Sequence, residues 1–176
     1  MRALVVYESI FGNGADIAAE VGTGLASRLE VEVVAADAAP TTLDGGIALL
    51  VVGGPNHRFA LSTPDSRSEA VGMSSRLVAP DRGLREWLAD LDPGPATTLA
   101  AVYDTRLTTP PFLRWFDHAS GMVERALRHK RLGLLVPSAH FLVSAATGPL
   151  VDGELARARV WGEDLAARLP APARRR

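Results

Sequence analysis

The residue types and spacing best suited to chemistry lie at the start of the chain. In ALVVYESIFGNGAD, residues 3 to 16, an apolar run (Leu4, Val5, Val6) ends in a turn carrying Ser9, Gly12, Asn13 and Gly14. Ile17, Ala18, Val21 and Leu25 then recur at helical spacing, so the stretch reads as strand, loop, helix. A helix start leaves its first backbone N–H groups without intrahelical acceptors and carries the positive end of the helix dipole. Such a junction can hold an anion above the strand. Ser9 can add a hydroxyl, and Gly12 and Gly14 allow the backbone to approach a ligand closely.

Several other chemistries are excluded. The chain has no cysteine, which removes disulfides, zinc-thiolate sites, iron–sulfur clusters and thiol nucleophiles. No nucleophile elbow is present, and His118, His129 and His140 lack metal-ligand spacing. A net charge of −1 gives no general attraction to nucleic acid, and the basic residues form no stripe in the sequence. Gly12 and Gly14 begin a dinucleotide fingerprint and Asp37 lies where a ribose-binding acid belongs, but Ile17 fills the position of the third glycine. A phosphoacceptor domain needs an acidic pair after the first strand and an Asp after the third. Glu8 and the pair Gly53, Gly54 stand there instead.

The elements that must position the first loop follow from the pattern. At 176 residues, with 47% hydrophobic and 22% charged content, the chain suits one domain able to bury a full core. Val31 to Ala35 is a short second strand, and IALLVVGG, residues 47 to 54, is apolar on both faces, as a central parallel strand must be. Residues 55 to 83 form a long connection with a helix start at Ser62 or Thr63 followed by Pro64. Leu84, Trp87, Leu88 and Leu91 mark an amphipathic helix, Thr98 to Tyr103 a fourth strand, and Asp104 to Phe112 a proline-bearing loop. Ala119 to His129 is helical with Met122, Val123, Ala126 and Leu127 inward, and Leu132 to Val136 is a fifth strand that residues 139 to 149 either extend or leave. Asp152 is expected to cap a last helix burying Leu155, Ala158, Trp161, Leu165 and Leu169. Strands alternating with crossover helices give an α/β doubly wound parallel sheet, whose ligands sit beyond the strand C-termini. The loops after strands one, three and four are therefore the ones to examine.

Those three loops, SIFGNG, GGPNHRF and YDTR, resemble the cofactor loops of the flavodoxin-like superfamily, in particular flavodoxin-domain proteins of GC-rich bacteria. The similarity runs over nearly the whole chain, including TGPLVDGE before the last helix. It implies a five-stranded sheet of order 2-1-3-4-5 over residues 1 to 170, with 171 to 176 as a flexible basic tail. It also implies FMN, with the phosphate on Ser9, Ile10, Phe11, Gly12, Asn13 and Gly14. The isoalloxazine would then lie between Pro55, Asn56, His57, Arg58 and Phe59 on one side and Tyr103, Asp104, Thr105 and Arg106 on the other. Electron transfer or a small flavin-dependent reductase is the expected activity, with an unidentified redox partner or substrate.

The loop departs from the hydroxyl-rich form Ser/Thr-x-Thr-Gly-x-Thr at Phe11 and Gly14. A second reading is thus a domain of this fold with weakened or lost flavin binding, serving as a binding or regulatory module. On the first reading, a hydroxyl restored by Gly14→Thr strengthens FMN binding. The N-terminus lacks the apolar region of a signal peptide, and no apolar run approaches the roughly 20 residues of a membrane span, so a cytoplasmic protein is expected. Phe112, Leu113, Trp115 and Phe116 form an apolar group able to pack against a second copy.

Overall fold

A computed structural model describes residues 1–56, 61–71, 82–94, 97–108, 119–145 and 147–170. In chain order the elements are β1 (Arg2–Tyr7), α1 (Asn13–Leu25), β2 (Glu30–Ala35), β3 (Ile47–Pro55), α2 (Pro64–Val71), α3 (Leu84–Asp90), β4 (Leu99–Leu107), α4 (Ala119–His129), β5 (Gly133–Leu134), β6 (Ala139–Val143) and α5 (Glu154–Arg168). The strands form one parallel sheet in the order β2-β1-β3-β4-β5, as the alternation of elements predicts. β6 also pairs with β4, so it continues the fifth strand position. Leu99 faces Gly133 and Tyr103 faces Ala139, so four steps along β4 are matched by six along its neighbour, and two residues are extruded around Pro137.

Alternation along the strands divides the core. Ala3, Val5, Leu49, Val51, Ala101 and Tyr103 pack under α1 and α5 with Ile17, Ala18, Val21, Leu25, Ala158 and Leu165. Leu4, Val6, Leu50, Val52, Ala100 and Val102 pack on the opposite face with Leu84, Trp87, Leu88, Val123 and Leu127. β3 lies in the middle of the sheet, and its residues from Leu49 to Gly54 are buried on both faces.

The α1–α5 layer is unusually close. A Cβ on Gly24 would lie 2.1 Å from the Arg159 carbonyl oxygen, and one on Gly162 would lie 2.4 Å from that of Val21. The helices cross backbone against backbone, which only glycine at both positions permits.

Two sequence expectations fail at α5. Gly153, with φ 88°, occupies the N-cap and Asp152 makes no side-chain cap. Leu155 is 43% exposed, because the inward face is set by Glu154, Ala158, Gly162, Leu165 and Ala166. In contrast, α2 starts as its sequence predicts, with Thr63 and Ser66 exchanging hydrogen bonds ahead of Pro64 (Thr63 N to Ser66 Oγ 2.9 Å, Ser66 N to Thr63 Oγ1 3.3 Å). Among the described residues no helix is long and apolar enough to cross a membrane. The apolar group at 112–116 and the tail at 171–176 lie outside the described residues.

Candidate functional site

The first loop leaves the sheet one residue after β1, where Glu8 N still donates to Gly53 O at 2.9 Å. Gly12 then takes φ 93°, a left-handed conformation that favours glycine, and Asp16 N donates back to Gly12 O at 3.0 Å to close the first turn of α1. Between those two bonds, the backbone N–H groups of Ser9 to Ala15 meet no acceptor among the described residues. Ser9 Oγ is buried and likewise has no partner among them. A buried hydroxyl without a partner costs about 1–3 kcal/mol. Here it lies beside a row of unused donors, which is the form of an anion cradle.

Neighbouring side chains hold this loop in shape. Ile10 is buried and Phe11 half-buried, and both pack on Ala70 of α2, so their side chains anchor the loop. A Cβ on Gly14 would lie 2.8 Å from the Glu8 carbonyl oxygen and 3.3 Å from Ser9 Cβ. The expectation that a threonine at position 14 would restore a phosphate hydroxyl therefore fails, because the space is already filled. On the other flank, a Cβ on Gly148 would lie 2.7 Å from Asn13 Oδ1, so the TGPL segment leans against the first loop.

The second and third loops are only partly described. Pro55 ends β3, and Asn56 extends the ladder by donating its N–H to Thr105 O at 2.9 Å. His57, Arg58 and Phe59 lie outside the described residues. The residues Tyr103 to Arg106 are strand, because pairing with β6 carries β4 on to Leu107. The loop that the sequence placed at Asp104 thus begins beyond Leu107.

Within β4 the side chains divide between the faces. Tyr103 is 1% exposed, and its ring lies over Gly53, where an added Cβ would come within 1.9 Å of Cζ. Its hydroxyl donates to Gly14 O at 3.0 Å, and burial pushes its pKa up. Edge-on contacts with Phe141 and Trp161 complete its surroundings. Tyr103 is therefore a prop beneath the first loop, and the expectation that it walls a ring slot is corrected. Asp104 faces the other way and accepts from Arg106 Nε at 2.9 Å, with His140 Nδ1 also at 2.9 Å. Burial raises its pKa, but the bonds from His140 and Arg106 outweigh that and leave it below the ordinary value.

Sequence reading missed a second polar cluster that starts at Glu8. Its carboxylate accepts from Ser62 Oγ and from Leu84 N at 2.7 Å. Arg67, fully buried, donates to Ser62 Oγ at 2.8 Å and to Glu86 Oε2 at 3.0 Å, and Glu86 also accepts from Gly83 N at 2.8 Å. Burial raises the Glu86 pKa, while these bonds and its own backbone N–H bring it below its ordinary value. The cluster ties α2 and α3 to the end of β1. Only Glu86 carried a signal, as the third residue of a predicted helix, where a capping carboxylate belongs. Among the described residues no His, Asp and Glu group is arranged to hold a metal ion.

No protein-family model matches the sequence, and no curated protein matches it. Solved structures do. A flavodoxin from the domain Archaea aligns over 96% of this chain and 99% of its own at 17% identity, with a TM-score of 0.64. Flavodoxin 1 from Bacillus cereus aligns over 97% and 100% at 12% identity, with a TM-score of 0.65. This chain has the flavodoxin-like fold. The flavodiiron core Flv1 from Synechocystis matches 96% of the chain at 17% identity and TM-score 0.62, but the match covers 36% of that longer protein. The flavodoxin-like fold therefore occurs both alone and as a module, and here the ends of β1, β3 and β4 lie side by side in its sheet.

Proposed function

We propose that this protein binds FMN and acts in electron transfer or as a small flavin-dependent reductase in the cytoplasm. The observation that carries this reading is the buried, unpartnered Ser9 Oγ beside the N–H groups of Ser9 to Ala15, which meet no acceptor among the described residues. A phosphate fits that donor set, because it accepts several hydrogen bonds at once and the helix N-terminus favours its charge. The described chain would hold the phosphate with Ser9 and the backbone from Ile10 to Gly14. Tyr103 fixes Gly14 from below, while Glu8 and Gly53 set where the loop leaves the sheet. The flavin edge would meet the backbone at Pro55, Asn56 and Thr105, beside the segments that begin at His57 and beyond Leu107. When bound, FMN supplies the redox chemistry that amino-acid side chains lack.

One observation favours the weaker-binding module as a second reading. Ser9 is the single side-chain hydroxyl within residues 9 to 14, and position 14 has no room for another. Two missing charged hydrogen bonds, at roughly 1.5–3 kcal/mol each, lower affinity by about a hundredfold or more. Titration of FMN by fluorescence quenching, with riboflavin in parallel, separates the readings. The proposal expects quenching at micromolar FMN or below and much weaker riboflavin binding. No quenching at high micromolar FMN would leave the module reading.

A further inference from the structure

A cavity of about 280 Å3 lies where β6 meets the start of α5 and is lined by Arg106, His140, Leu142, Glu154 and Arg157. None of these residues belongs to the first loop. Its fixed charges come in pairs. Asp104, 1% exposed, holds Arg106, and Glu154 Oε1 accepts from Arg157 Nε at 3.0 Å. Glu154 also accepts from the edge N–H of Leu142 at 2.8 Å, and the Arg157 guanidinium lies 4.3 Å from the centre of the Phe141 ring. Both guanidinium groups are thus held in place with their charges matched, while Arg157 Nη1 has no partner among the described residues.

His140 lines the cavity beside these pairs. Its Nδ1 lies 2.6 Å from Arg106 Nη2, a donor, and 2.9 Å from Asp104 Oδ1, an acceptor. The neutral ring, accepting from Arg106 at Nδ1, carries its proton on Nε2. With Nδ1 held inward, the opposite ring edge carries Nε2 to the open side, where the side chain is 40% exposed.

We propose that this cavity binds the carboxylate of a small organic acid between His140 Nε2 and Arg157 Nη1. Leu142 offers the acid's hydrocarbon part an apolar contact, which a bare inorganic anion cannot use. The charged groups described around the cavity are Asp104 and Arg106 on β4, Glu154 and Arg157 on α5, and, near the start of β6, Glu124 on α4, which is bonded to Ser138 and Arg128. The site is independent of the flavin reading and stands or falls separately from it.

The test is a butyrate titration of the wild-type protein between pH 5.5 and 8, followed by NMR of the histidine ring resonances, with His140→Gln used to assign the His140 signals. The expected result is a saturable, butyrate-dependent shift of the His140 signals. Arg157→Gln should weaken butyrate binding at least tenfold while leaving FMN quenching unchanged. Butyrate that moves no His140 resonance would overturn the proposal. Sulfate binding as tight as butyrate would contradict an organic acid as the ligand.

Discussion

Glu8 and Ser9 are neighbours in sequence at the end of one strand, yet they belong to two polar clusters built in opposite ways. Both oxygens of the Glu8 carboxylate are satisfied, by Ser62 and by the start of α3, within a network that encloses a fully buried arginine. One residue later, the Ser9 hydroxyl is buried with no partner among the described residues, next to N–H groups that have none either. A satisfied cluster stabilises the fold that contains it, whereas an unsatisfied one leaves polar groups open for a ligand to use. Burial and polarity alone do not separate the two. The hydrogen-bond inventory does.

The largest expected effect of breaking this contrast is on the satisfied side. Arg67→Met should lower unfolding stability by about 3 kcal/mol, because it leaves Ser62 and Glu86 short of a donor in a buried setting. Chemical denaturation should show the midpoint fall with little change in slope. A midpoint within error of wild type would mean that the network is not structural.

Gly14→Thr tests the boundary between the clusters, since its added atoms would collide with the Glu8 carbonyl and Ser9. Overpacking of this kind costs about 1–3 kcal/mol, and FMN affinity should fall rather than rise. A thermal melt and an FMN titration of the same preparation would read both effects.

The smallest expected effect concerns pH. Asp104 has a lowered pKa in the folded state, so its contribution to stability is present in full above the unfolded value of about 3.9 and is lost as pH falls through the folded one. Asp104→Asn should therefore flatten the acid limb of a stability–pH curve below about pH 4. An unchanged limb would show that Asp104 does not set it, leaving Glu86 and Glu154, whose pKa values are also lowered.

The contrast also explains what the sequence made legible. Period-two and period-3.6 patterns place β3, α1 and α3 correctly because each buries a continuous apolar face, and the glycine turn before α1 marks where the proposed anion cradle lies. The β4 boundary was misplaced because strand pairing with β6 overrides the polar character of Asp104, Thr105 and Arg106. Tyr103 was given the wrong face because the cue to its direction is non-local: Gly53, fifty residues earlier, leaves the space its ring occupies. The Glu8–Ser62–Arg67–Glu86 cluster was invisible for the same reason. Its members are scattered along the chain and share no spacing.

The most direct measurement is the affinity of wild-type protein and Ser9→Ala for FMN and riboflavin, with stability measured alongside. The Ser9 hydroxyl has no partner to lose and its burial is costly, so unfolding stability without ligand should rise by about 1–3 kcal/mol. FMN affinity should drop roughly ten- to a hundredfold, as expected for a lost hydrogen bond to a charged group, while riboflavin affinity stays the same. Equal losses for both ligands, or no loss for FMN, would contradict the assignment of the first loop to the phosphate.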